Sequence, residues 1–253
     1  MNAGTESSAP RAADCTVVEL RQYTLRPRAR ETLIGLFERE FVEAQEACGA
    51  SVIGTFRDLD QPDRFVWLRG FADMHARRRV LADFYGGPVW KAHRDAANAT
   101  MIDSDDVLLL RPASPGAGFD LDPGRRPAGG SGTAGEELVI GRIYPFAAPV
   151  DSAFVVWFRR EVVALFDELG AATAAVFVTE DAKNDFPALP VREDAHVLAW
   201  FTRFAGHAVY ARFFDAVAHS ERWNRELLPE LQGRLHGKPP LLRLAPTARS
   251  LLR

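Results

Sequence analysis

Little in this sequence would take it to a membrane, a nucleic acid or an oxidising compartment. No run of about 18 apolar residues is present, so no helix is expected to span a bilayer. Neither sign of charge dominates: 31 Lys and Arg stand against 34 Asp and Glu, a net charge of -3 over 253 residues. That balance lacks the basic footprint that nucleic-acid phosphates demand. Only two cysteines occur, Cys15 and Cys48. Two thiols so placed do not make a disulfide framework, and they fit a reducing, cytoplasmic setting. The opening MNAGTESSAPRAAD is small and polar, without the apolar centre of a secretory signal. Residues 1–15 are expected to form a disordered tail.

Chemistry-bearing motifs are equally scarce. There is no G-x-G-x-x-G and no phosphate-binding loop, so no nucleotide cofactor is indicated. His75, His93, His196, His207, His219 and His236 form no H-E-x-x-H or H-x-H set. A metal site would have to be assembled from distant residues, and neither metal nor cofactor is expected. The G-x-S-x-G elbow is missing. Cys48 falls on an apolar helical stripe, which favours a core role over a nucleophilic one. What the chain does have is 47% hydrophobic residues, enough for one large core or two modest ones.

The patterning gives an order of elements. Residues 16–25 alternate as a strand: Val18, Leu20 and Gln22 point one way, and Val17, Glu19, Arg21 and Tyr23 the other. Pro27 suits the first turn of a helix, Leu33, Phe37, Phe41, Ala44 and Cys48 make its apolar stripe, and Gly49 closes it. SVIGTFR and RFVWLRGF read as a hairpin turning at LDQPD. Asp73 caps a second helix, which Gly86-Gly87-Pro88 breaks in two, and VLLLRP from Val107 is the last strand. Residues 112–136, dominated by Gly, Pro and Ser, read as a flexible linker, with 114–134 expected to be cut first by a protease.

The same β-α-β-β-α-β order then returns. Arg142 lies 121 positions after Arg21 and Trp223 lies 133 after Trp90, landmarks of an ancient duplication. The expected fold is α+β: two tandem ferredoxin-like βαββαβ repeats, residues 16–113 and 137–253, packed sheet to sheet in a dimeric α/β-barrel type unit. Each sheet carries helices on one face only, so the other face must be buried. A tandem repeat can do this internally; a homo-oligomer is the other route.

Candidate site residues lie in the first repeat. Arg21 and Tyr23 share a face of strand 1, Thr55 and Arg57 a face of strand 2, and Trp67 and Arg69 a face of strand 3. Lining the barrel, they would make a cationic, aromatic pocket; facing solvent, they would be ordinary surface. The segment FYGGPVWKAHRDAANATM adds Tyr85, Trp90, His93, Arg94 and Asn98.

With VVELRQYTL, RFVWLRGF and DSDDVLLLRP, that segment resembles the NIPSNAP family, within the dimeric α+β barrel superfamily. The resemblance covers about residues 16–113; the second half shares only the order of elements and scattered landmarks. It implies the ferredoxin-like fold and little about chemistry, because the superfamily holds cofactor-free monooxygenases, heme-handling enzymes, isomerases and plain binding proteins.

Two functions stay open. One is a cofactor-independent enzyme in the barrel cavity of the first repeat, acting on an anionic or enolisable small molecule. There Tyr23 and His93 would exchange protons, and Arg21, Arg57, Arg69 and Arg94, with Trp67, Tyr85, Trp90 and Asn98, would hold the substrate. The other is a protein that binds the ligand without turnover, or a scaffold. In both, the first half carries the site and the second supports it.

Overall fold

The computed structural model describes residues 11–128 and 135–253. Eight strands form a closed antiparallel barrel with helices packed outside it. The first half supplies β1 (Val17–Leu25), β2 (Ser51–Asp58), β3 (Arg64–Phe71) and β4 (Met101–Pro112). The second supplies β5 (Leu138–Phe146), β6 (Ala172–Thr179), β7 (His196–Phe204) and β8 (Leu241–Pro246). Around the barrel they run β1-β3-β2-β8-β5-β7-β6-β4. The two halves meet edge to edge along two short seams, β2 with β8 (Phe56 opposite Pro246) and β4 with β6 (Leu110 opposite Thr179). Closure leaves no sheet edge free, which removes the unpaired backbone groups an open sheet presents.

Strand alternation decides what faces where. Val18, Leu20, Val66, Leu68, Leu108 and Leu110 from the first half meet Val139, Ala199, Phe201, Leu242 and Leu244 from the second in one buried cluster inside the barrel. The lumen is therefore a packed apolar core. Residues of the opposite parity lie beneath the helices.

Helix α1 (residues 30–47) contains one wider π turn at Phe37–Phe41. It begins at Arg30, later than Pro27, because Arg28 takes a left-handed φ of 66° and the chain turns there. Gly49 ends the helix at φ 102°, a conformation that side chains with a Cβ resist. Helix α4 (residues 152–168) repeats the design, with its own π turn at Phe158–Val163 and Gly170 at φ 105°. Helix α2 (Met74–Gly86) is capped by Asp73, whose carboxylate accepts from the Ala76 amide at 2.7 Å. Gly87 separates α2 from α3 (Pro88–Asn98), with Pro88 at the first helical position, as its missing N–H allows. Helices α5 (His207–His219) and α6 (residues 223–232) complete the second half. Loss of the Asp73 cap in Asp73→Ala should lower stability by about 1 kcal/mol, a fall in Tm of roughly 2–4 °C in a chain of this size. Differential scanning calorimetry measures it directly.

Two segments expected to be loose are partly built into the fold. Of the proposed tail, residues 1–10 lie outside the described residues, but Ala12 and Cys15 are buried against the barrel core. Burial pushes the Cys15 thiol up to about 12, so it behaves as a small apolar residue; Cys48, half-buried, is shifted in the same direction. Of the proposed linker, residues 129–134 lie outside the described residues, whereas Phe119 enters the barrel and packs on Phe177 and Phe201, ring centroids 5.1 and 5.5 Å away. Arg126 donates to the Val52 and Arg249 carbonyls, both at 2.7 Å. Composition points to a free linker because Gly and Pro dominate it; Phe119, Arg126 and the backbone bonds of Ala113 and Ala117 to Val176 fasten it.

Candidate functional site

The polar parity of β1 and β3 faces the helices, not the lumen. Glu19, Arg21 and Tyr23 stand on β1, and Arg69 and Trp67 on β3; the strand register sets Glu19 opposite Arg69 and Arg21 opposite Trp67. Helix α2 brings Arg77 over them, and α1 brings Gln45. All of these side chains are buried.

Glu19 is the hub. One carboxylate oxygen accepts from Arg21 at 2.9 Å and from Arg69 Nε at 2.7 Å, and the other accepts from Arg77 Nε at 2.7 Å. Burial alone would push this carboxyl up, but the guanidiniums of Arg69, Arg21 and Arg77 outweigh it and hold the group well below the usual carboxylate range. Arg69 also donates to Gln45 Oε1 at 2.9 Å and lies near the Tyr85 hydroxyl at 3.4 Å. Arg21 Nε donates to the Tyr23 hydroxyl at 3.0 Å. Burial pushes Tyr23 up, against the pull of Arg21, so the phenol keeps its proton at neutral pH. Arg77 is met from the second half by Asp185 at 2.7 Å and Asn184 at 3.0 Å.

Three guanidiniums thus face two carboxylates, which leaves an excess of one positive charge. Arg69 Nη2, Arg77 Nη2 and Trp67 Nε1 are buried and have no hydrogen-bond partner among the described residues. Buried polar groups are nearly always paired, so three orphaned donors in one neighbourhood call for an account. Trp67 also lines a cavity of about 30 Å³ whose walls include Tyr23, Gln45, Tyr85, Trp90 and Phe41; Arg69 and Arg77 stand behind that wall, Arg69 against Gln45 and Tyr85. The guanidinium of Arg69 lies 5.0 Å from the Trp67 ring and 5.8 Å from that of Tyr85. The cavity has room for about one water; anything larger must displace its aromatic walls. Trp90 sits on α3, where only Ala97 is fully buried.

Of the ten residues singled out from the sequence, six converge here: Arg21, Tyr23, Trp67, Arg69, Tyr85 and Trp90. They do so in the layer between sheet and helices, which corrects the expected place in the barrel cavity. Four do not converge. Arg57 pairs with Glu31 at 2.6 Å at the far end of β2. His93 faces Glu40 at 3.5 Å. Aromatic rings stand between it and Tyr23, Phe41 and Phe37 and then Trp67 or Phe65, so the two exchange no proton directly. Arg94 is 55% exposed beside Asp95, and Asn98 is exposed. Glu19, Gln45, Arg77, Asn184 and Asp185 escaped notice. Glu19 shares the parity of Arg21 and Tyr23 and was legible on that ground; Asp185 reaches the site through a long-range contact that no local pattern announces.

The second half shows what the same frame looks like without the charges. Arg142 stands opposite Trp200, as Arg21 stands opposite Trp67, and Tyr144 follows as Tyr23 does. Yet Ile140 stands opposite Thr202 where Glu19 stands opposite Arg69. Tyr210, fourth residue of α5, replaces Arg77, fourth residue of α2. There Trp200 Nε1 has a partner, the Thr173 hydroxyl at 3.3 Å. Among the described residues the second half has one orphaned buried donor, Arg253 Nε, and it lies outside this frame.

Among the described residues no helix is long and apolar enough to cross a membrane, and no group of three or more His, Cys, Asp or Glu is placed to hold a metal. The model of the NIPSNAP family matches residues 18–115. The chain matches no curated protein. Over 94% of its length it is similar in structure to a candidate monooxygenase from Lactobacillus acidophilus NCFM, covering 98% of that chain at 12% identity and a TM-score of 0.55. An anthrone oxidase-like protein is similar over 94% of both chains, at 12% identity and a TM-score of 0.51. An uncharacterized NIPSNAP-like domain protein from Burkholderia xenovorans is 28% identical over 38% of this chain and 84% of its own, with a TM-score of 0.35. The whole-chain neighbours share the α+β barrel fold.

Proposed function

We propose that the NIPSNAP-matching part of the chain binds a small molecule bearing an anionic or enolisable oxygen, held between the β1–β3 strands and helices α1–α3. The barrel is read as a fused pair of ferredoxin-like units whose second member stands in for a partner subunit. One observation carries the binding reading: Arg69 Nη2, Arg77 Nη2 and Trp67 Nε1 are buried donors without acceptors, in a cluster with one positive charge over. Each such donor costs about 1–3 kcal/mol, more when charged, and an oxyanion supplies the missing acceptor and the missing charge together. The aromatic walls suit an apolar body behind that oxygen.

The geometry favours binding over turnover. Tyr23 and Tyr85 put phenols at the cavity wall, but His93 is engaged elsewhere, and among the described residues no carboxylate or imidazole lines the cavity. The whole-chain neighbours with oxygenase or oxidase names are 12% identical, a likeness of fold that carries no reaction. The two free thiols support a cytoplasmic setting.

Calorimetric titration with a panel of aliphatic and aromatic carboxylates and phenols tests the reading. The expected outcome is a binder whose affinity falls roughly 10- to 100-fold in Arg69→Met, the loss of a charge-assisted hydrogen bond, and stays unchanged in His93→Ala. Trp67→Phe, which removes the N–H donor together with part of a buried ring, should weaken the same ligand at some cost in packing but keep a folded chain. Wild-type affinity in both Arg69→Met and Trp67→Phe would refute it.

A further inference from the structure

We propose that Asp185, carried by the second half, makes the site selective for singly charged anions. This rests on the small-molecule reading above and adds to it the charge class of the ligand and the residue that sets it.

The connection from β6 to β7 runs over residues 180–195, whereas its counterpart from β2 to β3 spans only 59–63. The barrel order explains where the longer one goes. Strand β6 lies next to β4, so a long excursion after β6 passes over the helix layer of the first half. It is fastened there. The Arg192 amide donates to the Val107 carbonyl and the Glu180 amide to the Leu109 carbonyl, both at 2.9 Å; Asn184 holds the loop's own shape, its Nδ2 donating to the Leu189 carbonyl at 2.9 Å and its amide to Glu193 at 2.7 Å. Phe186 lies 6.3 Å from the Tyr85 ring, which forms part of the cavity wall. The short 59–63 connection meets the second half at β8 instead, where Asp60 pairs with Arg243 and the Leu59 amide donates to the Arg243 carbonyl at 2.8 Å.

What the loop delivers is a carboxylate. Asp185 Oδ1 accepts from Arg77 Nη1 at 2.7 Å. Arg77 is wholly buried and Asp185 is 26% exposed, so the carboxylate sits at the solvent edge of the guanidinium cluster. Glu19 is already shared among Arg21, Arg69 and Arg77. Without Asp185 the cluster would hold two positive charges in excess; with it, one. A monoanion then closes the balance. A dianion would bring a second buried negative charge with no partner, and burying an unpaired charge is strongly unfavourable.

Two probes of one shape separate charge from fit: 4-carbamoylbenzoate, with one negative charge, and terephthalate, with two, titrated into the full chain at pH 8 and fixed ionic strength. Wild type should prefer the monoanion by about tenfold or more, as a unit charge a few ångströms away in a partly screened site implies. Asp185→Asn keeps the side chain's shape and an oxygen for Arg77, and should shift the ratio toward terephthalate by about tenfold or more. Asn184→Asp adds a carboxylate at the same guanidinium and should shift it the other way. Asp181→Asn, whose carboxylate pairs with the exposed Arg111 at 2.9 Å, should leave the ratio alone. A wild-type ratio in both Asp185→Asn and Asn184→Asp overturns this inference and leaves the small-molecule reading standing. Failure of both probes to bind wild type and every variant overturns both.

Discussion

Replacing Glu19 by Gln should cost about 3–5 kcal/mol of stability, a fall in Tm of roughly 6–20 °C for a chain of this length. The carboxylate is wholly buried and is the shared acceptor of Arg21, Arg69 and Arg77. Its neutral replacement leaves three guanidiniums out of water with only Asp185 to offset them. The loss should depend on pH in a definite direction. Glu19 is held below its ordinary value in the fold, and an unfolded Glu titrates near 4.3, so about pH 4.3 marks where the effect begins. The stabilisation by its charge is fully present above that pH and is lost as the pH falls from there toward the lower folded value. Urea unfolding at pH 7 should show the full gap between wild type and Glu19→Gln, and at pH 3 a smaller one. A gap that widens in acid would contradict the assignment of Glu19 as the charged hub.

The second large effect separates stability from binding. A buried ion cluster is weak support for stability, because well-packed neutral residues often do as well. The second half displays such residues in the same frame: Ile140, Thr202 and Tyr210 stand where Glu19, Arg69 and Arg77 stand in the first. The triple variant Glu19→Ile, Arg69→Thr, Arg77→Tyr should therefore recover most of the stability that Glu19→Gln loses, while anion binding falls by 100-fold or more. Chemical denaturation and calorimetric titration of the same sample report both quantities. A triple variant less stable than Glu19→Gln would mean the charges hold the fold; one that still binds would mean the anion goes elsewhere.

The fold could be read far along the chain, and the site about half as well. Alternation on β1 and β3, the Gly49 stop, the Asp73 cap and the Gly87-Pro88 break all act within a few residues of themselves, and all stand where the sequence put them. The face on which Arg21, Tyr23, Trp67 and Arg69 lie was equally plain. Which way that face points was not: parity gives two faces and leaves open which one the helices cover. The apolar set Val18, Leu20, Val66 and Leu68 fills the lumen, and the polar set goes under α1 and α2. His93, Arg94 and Asn98 mislead because they neighbour Trp90 in sequence; on α3 Arg94 and Asn98 turn outward and His93 packs on Phe41 and Glu40 of α1, away from the cluster. Asp185 and Phe186 were hidden because their partners, Arg77 and Tyr85, lie about 100 positions earlier, brought near only by barrel closure.

The central claim is that the first-half guanidinium cluster binds an organic anion. Native mass spectrometry of the purified full chain, exchanged gently into a volatile buffer after incubation with the small-molecule fraction of a cell extract, tests it most directly. The account predicts an added mass that dissociates as a single organic anion from wild type, is absent in Arg69→Met and persists in His93→Ala. An identical adduct on wild type and Arg69→Met, or none on any of the three, would contradict it.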